Sequence, residues 1–407
     1  MPGQAHSEGL PFSFPPDSPA DVIQSGSEMV TIAVISESAD EPRVAVSPDT
    51  VKKFTSLGAK VRVEQGAGLK SRFSDDAYRT AGAETVSRAE VLAGADILLT
   101  VRRPGADAIA ALKPGAIVAG MIDPYTDQAG LEVLAQTGAT IFSMEFMPRT
   151  TRAQSMDVLS SQANLAGYKA VIDGASMFGQ ALPMMMTPAG TVPAAKVFIM
   201  GVGVAGLQAI ATARRLGAQV TATDVRPATK EQVQSLGAKF IAVEDEEFKQ
   251  AQTAAGYAKP MSAAYQAKQA ELIASHIKTQ DLVITTALIP GRPAPKLISR
   301  AMIESMKPGS VIVDLAAERG GNTELTEPGK TVETANGVKI FGPLNLAGTI
   351  AVNASSLYAK NLLAFIETMI DKKEKALAVN WEDELVKGTL VAKDGKIVHP
   401  NLTGAAG

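Results

Sequence analysis

The stretch from Lys196 to Asp224, KVFIMGVGVAGLQAIATARRLGAQVTATD, constrains the fold more than any other part of the 407-residue chain. Its first five residues are apolar enough for a buried strand. Gly201, Gly203 and Gly206 follow in G-x-G-x-x-G spacing, an Ala-rich run reads as a helix, and a second β-branched run closes on Asp224. Two consecutive strands joined through a helix lie parallel, because only a long crossover returns the chain to begin its next strand at the same edge. A parallel sheet needs helices over both faces. The fold class expected is therefore α/β, built on doubly wound parallel sheets.

The same spacing carries a chemical reading. The first glycine allows a tight turn, the second leaves bare backbone against which a pyrophosphate can lie, and the third lets helix and strand approach closely. The helix N-terminus then offers unpaired N–H groups to the phosphates. With an acidic residue eighteen positions after Gly206, the motif predicts a dinucleotide site formed by Gly201, Val202, Gly203, Val204, Ala205 and Gly206, then Asp224, Val225 and Arg226. The competing reading is a glycine-rich turn that serves packing alone. Asp224 is placed to accept from ribose hydroxyls and to repel a 2′-phosphate, which favours NAD over NADP; Arg226, two residues on, pulls the other way. Downstream, DLVITTALIPGRPAPKLIS and KPGSVIVDLAAERGGN read as two further strands. Ligands lie beyond the carboxyl ends of such strands, so Thr285, Thr286, Ala287 and Leu288 are expected beside the cofactor.

Before this unit the chain already alternates short β-branched runs (VTIAVI, KVRVEQ, ADILLTV, GAIVAGMI, ATIFSME) with helical stretches such as VSPDTVKKFTSLG and DDAYRTAGA. That predicts a second α/β unit. Residues 1–28, rich in Pro, Ser and Gly without a basic start or an apolar segment, read as a disordered leader. Two Rossmann-like lobes follow: a discontinuous one from 29–157 and 350–398, and a dinucleotide-binding one from 158–349, with 399–407 as a tail. TLVAKDGKIVHP reads as a hairpin turning at Asp394-Gly395, and Met184 to Met186 as loop and core packing. A net charge of -3 gives no basic face for nucleic acid, and the absence of cysteine excludes disulfides and thiolate metal sites. No metal site is expected. No apolar run is long enough to span a bilayer.

The least conventional feature is MPRTTRAQSMDVLSSQANLAGY, which crowds Arg149, Arg152, Gln154 and Asp157 ahead of a long helix with neither His nor Cys among them. A redox site usually needs a proton donor beside the hydride. Only His6, His276 and His399 exist, and none falls at a strand end. AQTAAGYAKPMSAAYQAKQ, with Gly256 and Tyr257, reads equally as a mobile flap or an ordinary surface loop.

Taken together, the segments from MPRTTRAQSMDV to TTALIPGRPAP, with PMMMTPAGTVPAAKV, ATDVRPATKEQV and AGYAKP between them, closely resemble the NAD(H)-binding component of proton-translocating nicotinamide nucleotide transhydrogenase. The resemblance implies that Arg149, Gln154 and Asp157 position the nicotinamide, with Ser160 just after them, that the glycines and Asp224 hold pyrophosphate and ribose, and that Tyr257 sits on a loop closing over the nucleotide. It also implies a homodimer of two-lobed subunits, peripheral to the cytoplasmic membrane, docked on an NADP(H)-binding component and membrane-spanning subunits carried by other polypeptides. Hydride passing carbon to carbon needs no titrating group, which fits the missing acid. Alanine dehydrogenase shares the architecture. Arg43 and Arg102 resemble its carboxylate-binding Arg and Lys, but its His is missing from AIVAGMIDPYTD and AAERGGN replaces its catalytic Asp segment. FGPLNLAGTIAVN departs from the transhydrogenase pattern while keeping Asn345.

Overall fold

The computed structural model describes residues 29–251 and 261–404. The expected leader, Gly256 and Tyr257 lie outside the described residues. Six strands, β1 (Thr31–Val34), β2 (Lys60–Glu64), β3 (Glu84–Val86), β4 (Ile97–Leu99), β5 (Ile117–Gly120) and β6 (Thr140–Ser143), pair in parallel in the order β6-β5-β4-β1-β2-β3. After the long helix α1 (Val158–Met177), the chain forms a separate hairpin of β7 (Met185–Thr187) and β8 (Gly190–Val192). A second sheet contains β9 (Lys196–Met200), β10 (Gln219–Thr223), β11 (Lys239–Phe240), β12 (Leu282–Thr285), β13 (Val311–Asp314), β14 (Thr331–Glu333) and β15 (Lys339–Phe341), in the order β11-β10-β9-β12-β13-β15-β14. The helix α2 (Val204–Arg215) crosses from β9 to β10, and α3 (Ala351–Ile366) follows β15. A short ladder of β16 (Ile370–Asp371) and β17 (Ala376–Leu377) precedes β18 (Leu390–Lys393) and β19 (Lys396–Ile397).

The α/β class and its doubly wound sheets are as the sequence predicts, with one difference. Neither sheet is purely parallel: β18 joins β6 antiparallel and β19 extends the first sheet, while β14 closes an edge of the second antiparallel to β15. The central strands explain themselves. Every residue of β4, β12 and β13 is buried, as continuous apolar strands covered on both faces must be. By contrast Glu84–Val86 leaves no apolar signal, because this edge strand is only partly covered. Each sheet has a core on either face. The helix α1 links them: Val158 belongs to a core of the first sheet, Ala170 and Val171 to one of the second. Later, α3 packs Tyr358, Leu362 and Phe365 back into the first.

Two local readings have definite outcomes. The hairpin β18–β19 turns at Asp394 and Gly395, both with positive φ (52° and 77°), the signature of a type I′ turn. Met184, Met185 and Met186, expected in loop and core, are 61%, 43% and 78% exposed. They belong to a two-stranded ladder that has no sheet behind it to bury them.

Among the described residues no helix is long and apolar enough to cross a membrane, and no group of three or more His, Asp or Glu could hold a metal ion.

Candidate functional site

Strand register sets the site. Met200 lies opposite both Thr223 of β10 and Thr285 of β12, so the turn after β9, Asp224 and Thr286 sit level at the carboxyl edge of the second sheet. Gly201 adopts φ +98°, which L side chains rarely occupy, and a Cβ there would fall 2.6 Å from the Thr286 hydroxyl. A Cβ on Gly206 would fall 1.9 Å from the Gly201 carbonyl oxygen, so the helix rests directly on the turn. Gly203 is the opposite case: a Cβ would meet nothing within 4 Å. It is also the N-cap of α2 and supplies no side-chain cap, leaving the first N–H groups of a twelve-residue helix facing open space. This is a cradle for an anionic group backed by bare backbone, and it fits the pyrophosphate of a dinucleotide.

On one side of the cradle Asp224 accepts from the Val202 N–H (2.8 Å), from the Arg226 N–H (2.9 Å) and from the Arg226 guanidinium at both oxygens (2.9 Å each). The bond to Asp224 raises the pKa of Arg226. Arg226 therefore lies over the carboxylate that a ribose would need, and also reaches the Val202 carbonyl (3.1 Å). Val225 is exposed beside them and Val204 beside the turn, while Val202 is buried and Ala205 partly buried. On the other side the Thr286 hydroxyl donates to the Gly201 carbonyl (3.0 Å), and Leu288 is exposed. Thr285, expected near the cofactor, is fully buried with its hydroxyl on Asp314 (2.9 Å). Alternation along the strand points it into the sheet's cover instead.

The polar cluster before α1 divides into anchors and exposed groups. Residues Thr151–Met156 form a 3₁₀ turn, and Asp157 caps α1 by accepting from the Ser160 N–H (2.9 Å) and hydroxyl (2.5 Å). Arg152 forms a two-pronged ion pair with Asp383, so it fastens the turn to the chain near β18. Arg149 and Gln154 are exposed. Further along α1, a Cβ on Gly167 would fall 2.1 Å from the Ala205 carbonyl oxygen, so α1 crosses α2 in close contact at the cradle. Ten residues of helix, ~15 Å, separate that crossing from Asp157. Sequence reasoning missed Gly167, because a small residue in the middle of a helix gives only a weak signal.

The first sheet also turns its carboxyl edge to this cleft. Arg319, which follows β13, pairs with Asp123 after β5 (2.7 Å) and reaches Thr126. The Asn345 amide donates to Glu41 after β1 (3.0 Å), and its backbone N–H donates to Glu318. Asp123 and Asn345 both hold positive φ (49° and 47°), a conformation that short polar side chains tolerate. Glu41 lies buried between Arg43 and Arg102; burial pushes its pKa up, but the Arg43 guanidinium and N–H and the Arg102 guanidinium outweigh that and hold it at about 2. Glu37, accepting from the Val101 and Arg102 N–H groups, is raised by burial to about 7. Burial likewise raises Glu145, despite the Ser143 hydroxyl and the Asp123 and Ile122 N–H groups on it.

Neither described histidine reaches this cleft edge. His276 bonds the Thr221 hydroxyl within β10 and packs on Phe198, and His399 stacks on Phe146 while bonded to the Gly388 carbonyl.

The sequence matches the family of alanine dehydrogenase/PNT over its N-terminal domain at residues 33–166 and its C-terminal domain at residues 170–400. The first of the polypeptides that make up the NAD(P) transhydrogenase alpha subunit of Rhodospirillum rubrum is 55% identical over 370 residues, which span 89% of this chain and 96% of that protein. The crystal structure of a transhydrogenase from Sinorhizobium meliloti is 58% identical and superposes with a TM-score of 0.83, covering 90% of this chain and all of that one. The alanine dehydrogenase of Halomonas elongata is more distant, at 28% identity over 375 residues, 90% of this chain and 94% of that protein.

Proposed function

The chain belongs to the alanine dehydrogenase/PNT family, and from that premise we propose that it is the NAD(H)-binding subunit of a proton-translocating transhydrogenase. The observation that carries the reading is the open position at Gly203 on an uncapped helix N-terminus, level with Asp224 and Thr286. When bound, NADH supplies a hydride that passes directly to the nicotinamide of NADP+ held on a partner component. The chain's own residues bind and orient. Gly201, Val202, Gly203, Val204, Ala205 and Gly206 hold the pyrophosphate through backbone; Asp224, Val225 and Arg226 flank the adenosine ribose. Thr286, Ala287 and Leu288 line the opposite side. Gln154 and Arg149, on the exposed face of an anchored turn, orient the nicotinamide carboxamide, with Asp157 and Ser160 fixing the helix start behind them. Tyr257 closes over the nucleotide. The subunit works as a homodimer, peripheral to the cytoplasmic membrane through its NADP(H)-binding and membrane-spanning partners.

The test is reconstitution. Mixed with a purified NADP(H)-binding component of a relative, the chain should exchange hydride between NADH and NADP+, while alone it should neither oxidise alanine nor aminate pyruvate. Turnover of alanine would return the alanine dehydrogenase reading; NADH binding without any exchange would leave a nucleotide-sensing module.

A further inference from the structure

Between β12 and the next helix the chain makes an arch, residues 288–293 all exposed, whose two feet are tied to the segment after β13. The near foot is held by one side chain. Asn322, fully buried, accepts the Ala287 N–H on Oδ1 (3.0 Å) and donates from Nδ2 to the Ala287 carbonyl (2.8 Å) and the Pro295 carbonyl (2.9 Å). Its own backbone is fixed in turn: Asp314, also fully buried, accepts from the N–H groups of Asn322 (2.6 Å) and Thr323 (3.2 Å), and from the hydroxyls of Thr285 (2.9 Å) and Thr326 (2.5 Å). The far foot is held mainly by others, the Ala294 N–H on the Arg319 carbonyl (2.8 Å) and the Lys296 ammonium on the carbonyls of Gly320 (2.6 Å) and Thr323 (2.8 Å). An amide that uses both N–H groups and its oxygen on two backbone strands has one allowed orientation.

Strand order says which half of a ligand that clamp serves. In the sequence β10-β9-β12, the pyrophosphate cradle tops β9, Asp224 ends β10, and Ala287 follows β12. The two halves of a dinucleotide leave the pyrophosphate in opposite directions across such an edge. Asp224 takes the adenosine side, so Ala287 borders the nicotinamide side. We propose that Asn322 is a positioning residue for the nicotinamide half: without touching the ligand, it fixes the height of the Thr286–Leu288 backbone at the cleft. The proposal rests on the dinucleotide reading of the cradle.

Equilibrium titrations of NADH and of ADP-ribose, which lacks the nicotinamide, on the full chain separate the possibilities. Asn322→Asp has the same shape but cannot donate to the Ala287 and Pro295 carbonyls. Its NADH dissociation constant should rise about tenfold while that for ADP-ribose stays within about twofold. Asn322→Ser, uncharged and too short to bridge the two strands, should show the same split and covers the case in which a buried carboxylate prevents folding. Lys296→Met, which loosens only the far foot, should change neither constant by more than about twofold. Equal losses for both ligands in the Asn322 variants, or no loss for either, would overturn the proposal. A parent chain that binds neither ligand would overturn the dinucleotide reading itself, and the proposal with it.

Discussion

The two sheets present their carboxyl edges to one cleft and finish them in opposite ways. The first edge is crowded with ionisable side chains that satisfy one another. Glu41 takes Arg43, Arg102 and Asn345; Glu37 and Glu145 take backbone N–H groups. The second edge, around β9, is nearly bare: three glycines, an uncapped helix and one carboxylate. A saturated edge is a structural one, because its charges are already paired and a ligand would have to break those pairs. An unsaturated edge of backbone N–H groups binds whatever supplies the missing acceptors.

The largest test of that contrast is Glu41→Ala. It leaves the Arg43 guanidinium, 3% exposed, without its carboxylate. Breaking a buried pair from one side typically costs about 3 to 5 kcal/mol. Denaturant unfolding should show a loss of that size, while the NADH affinity of the folded fraction moves less than about threefold. A loss under ~1 kcal/mol would mean that the first edge is not held by its charges.

Glu37 gives the same edge a pH dependence. Burial raises its pKa from an ordinary 4.5 to about 7 in the folded state, so the folded chain holds this proton more tightly than the unfolded one. Its favourable contribution is complete below the unfolded pKa and is lost as pH rises through the folded value. The lost contribution is roughly 2 kcal/mol, after discounting for partial exposure. Glu37→Gln should therefore gain stability over the parent on going from pH 5 to pH 8. An offset between the two proteins that is the same at both pH values would refute it.

The difference between the edges also decides what could be read from sequence. Backbone sites announce themselves, because a glycine must occur wherever a Cβ would collide, and Gly201 and Gly206 stand at a fixed spacing from strand and helix. The α/β class followed from equally local patterns. Side-chain networks do not announce themselves: Glu41 and Asn345 are 304 positions apart, a separation that no local pattern spans. Asn322 is similarly hidden, although a polar residue after Gly320-Gly321 at a strand end is a signal that could have raised it. Gln154 and Arg149 were legible only through resemblance, since a polar turn has no fixed geometry until the fold supplies it.

At the second edge, Gly203→Ala separates binding from folding. The added methyl enters open space, so stability should change by no more than about 0.5 kcal/mol. It nevertheless occupies the surface on which the pyrophosphate lies, and NADH affinity should fall at least about tenfold, ~1.4 kcal/mol. Gly206→Ala is the counterpart. Its methyl would collide with the Gly201 carbonyl, so stability and affinity should fall together. If Gly203→Ala bound NADH as the parent does, the cradle would be packing only.

The smallest effect is expected where the two styles of edge meet, at the pair of Asp224 and Arg226. This is the one place on the cradle where a carboxylate is already occupied by its own chain, with Arg226 on both oxygens. The pair is partly exposed, and such pairs contribute about 1 kcal/mol or less. A ribose diol can therefore displace the guanidinium at little expense, and the arginine then remains close enough to meet a 2′-phosphate. Arg226→Gln removes that cation and frees the carboxylate in one step. NADH affinity should change by less than about threefold in either direction, because one weak competitor and one weak neighbour are lost together. NADPH affinity should fall further, since its phosphate would face Asp224 with no positive charge beside it. The preference for NADH over NADPH should widen about fivefold, ~1 kcal/mol. Parallel titrations of both nucleotides with parent and variant measure it; an unchanged ratio would show that Arg226 only props the carboxylate, and a narrowed one would make Asp224 irrelevant to the choice between the two cofactors.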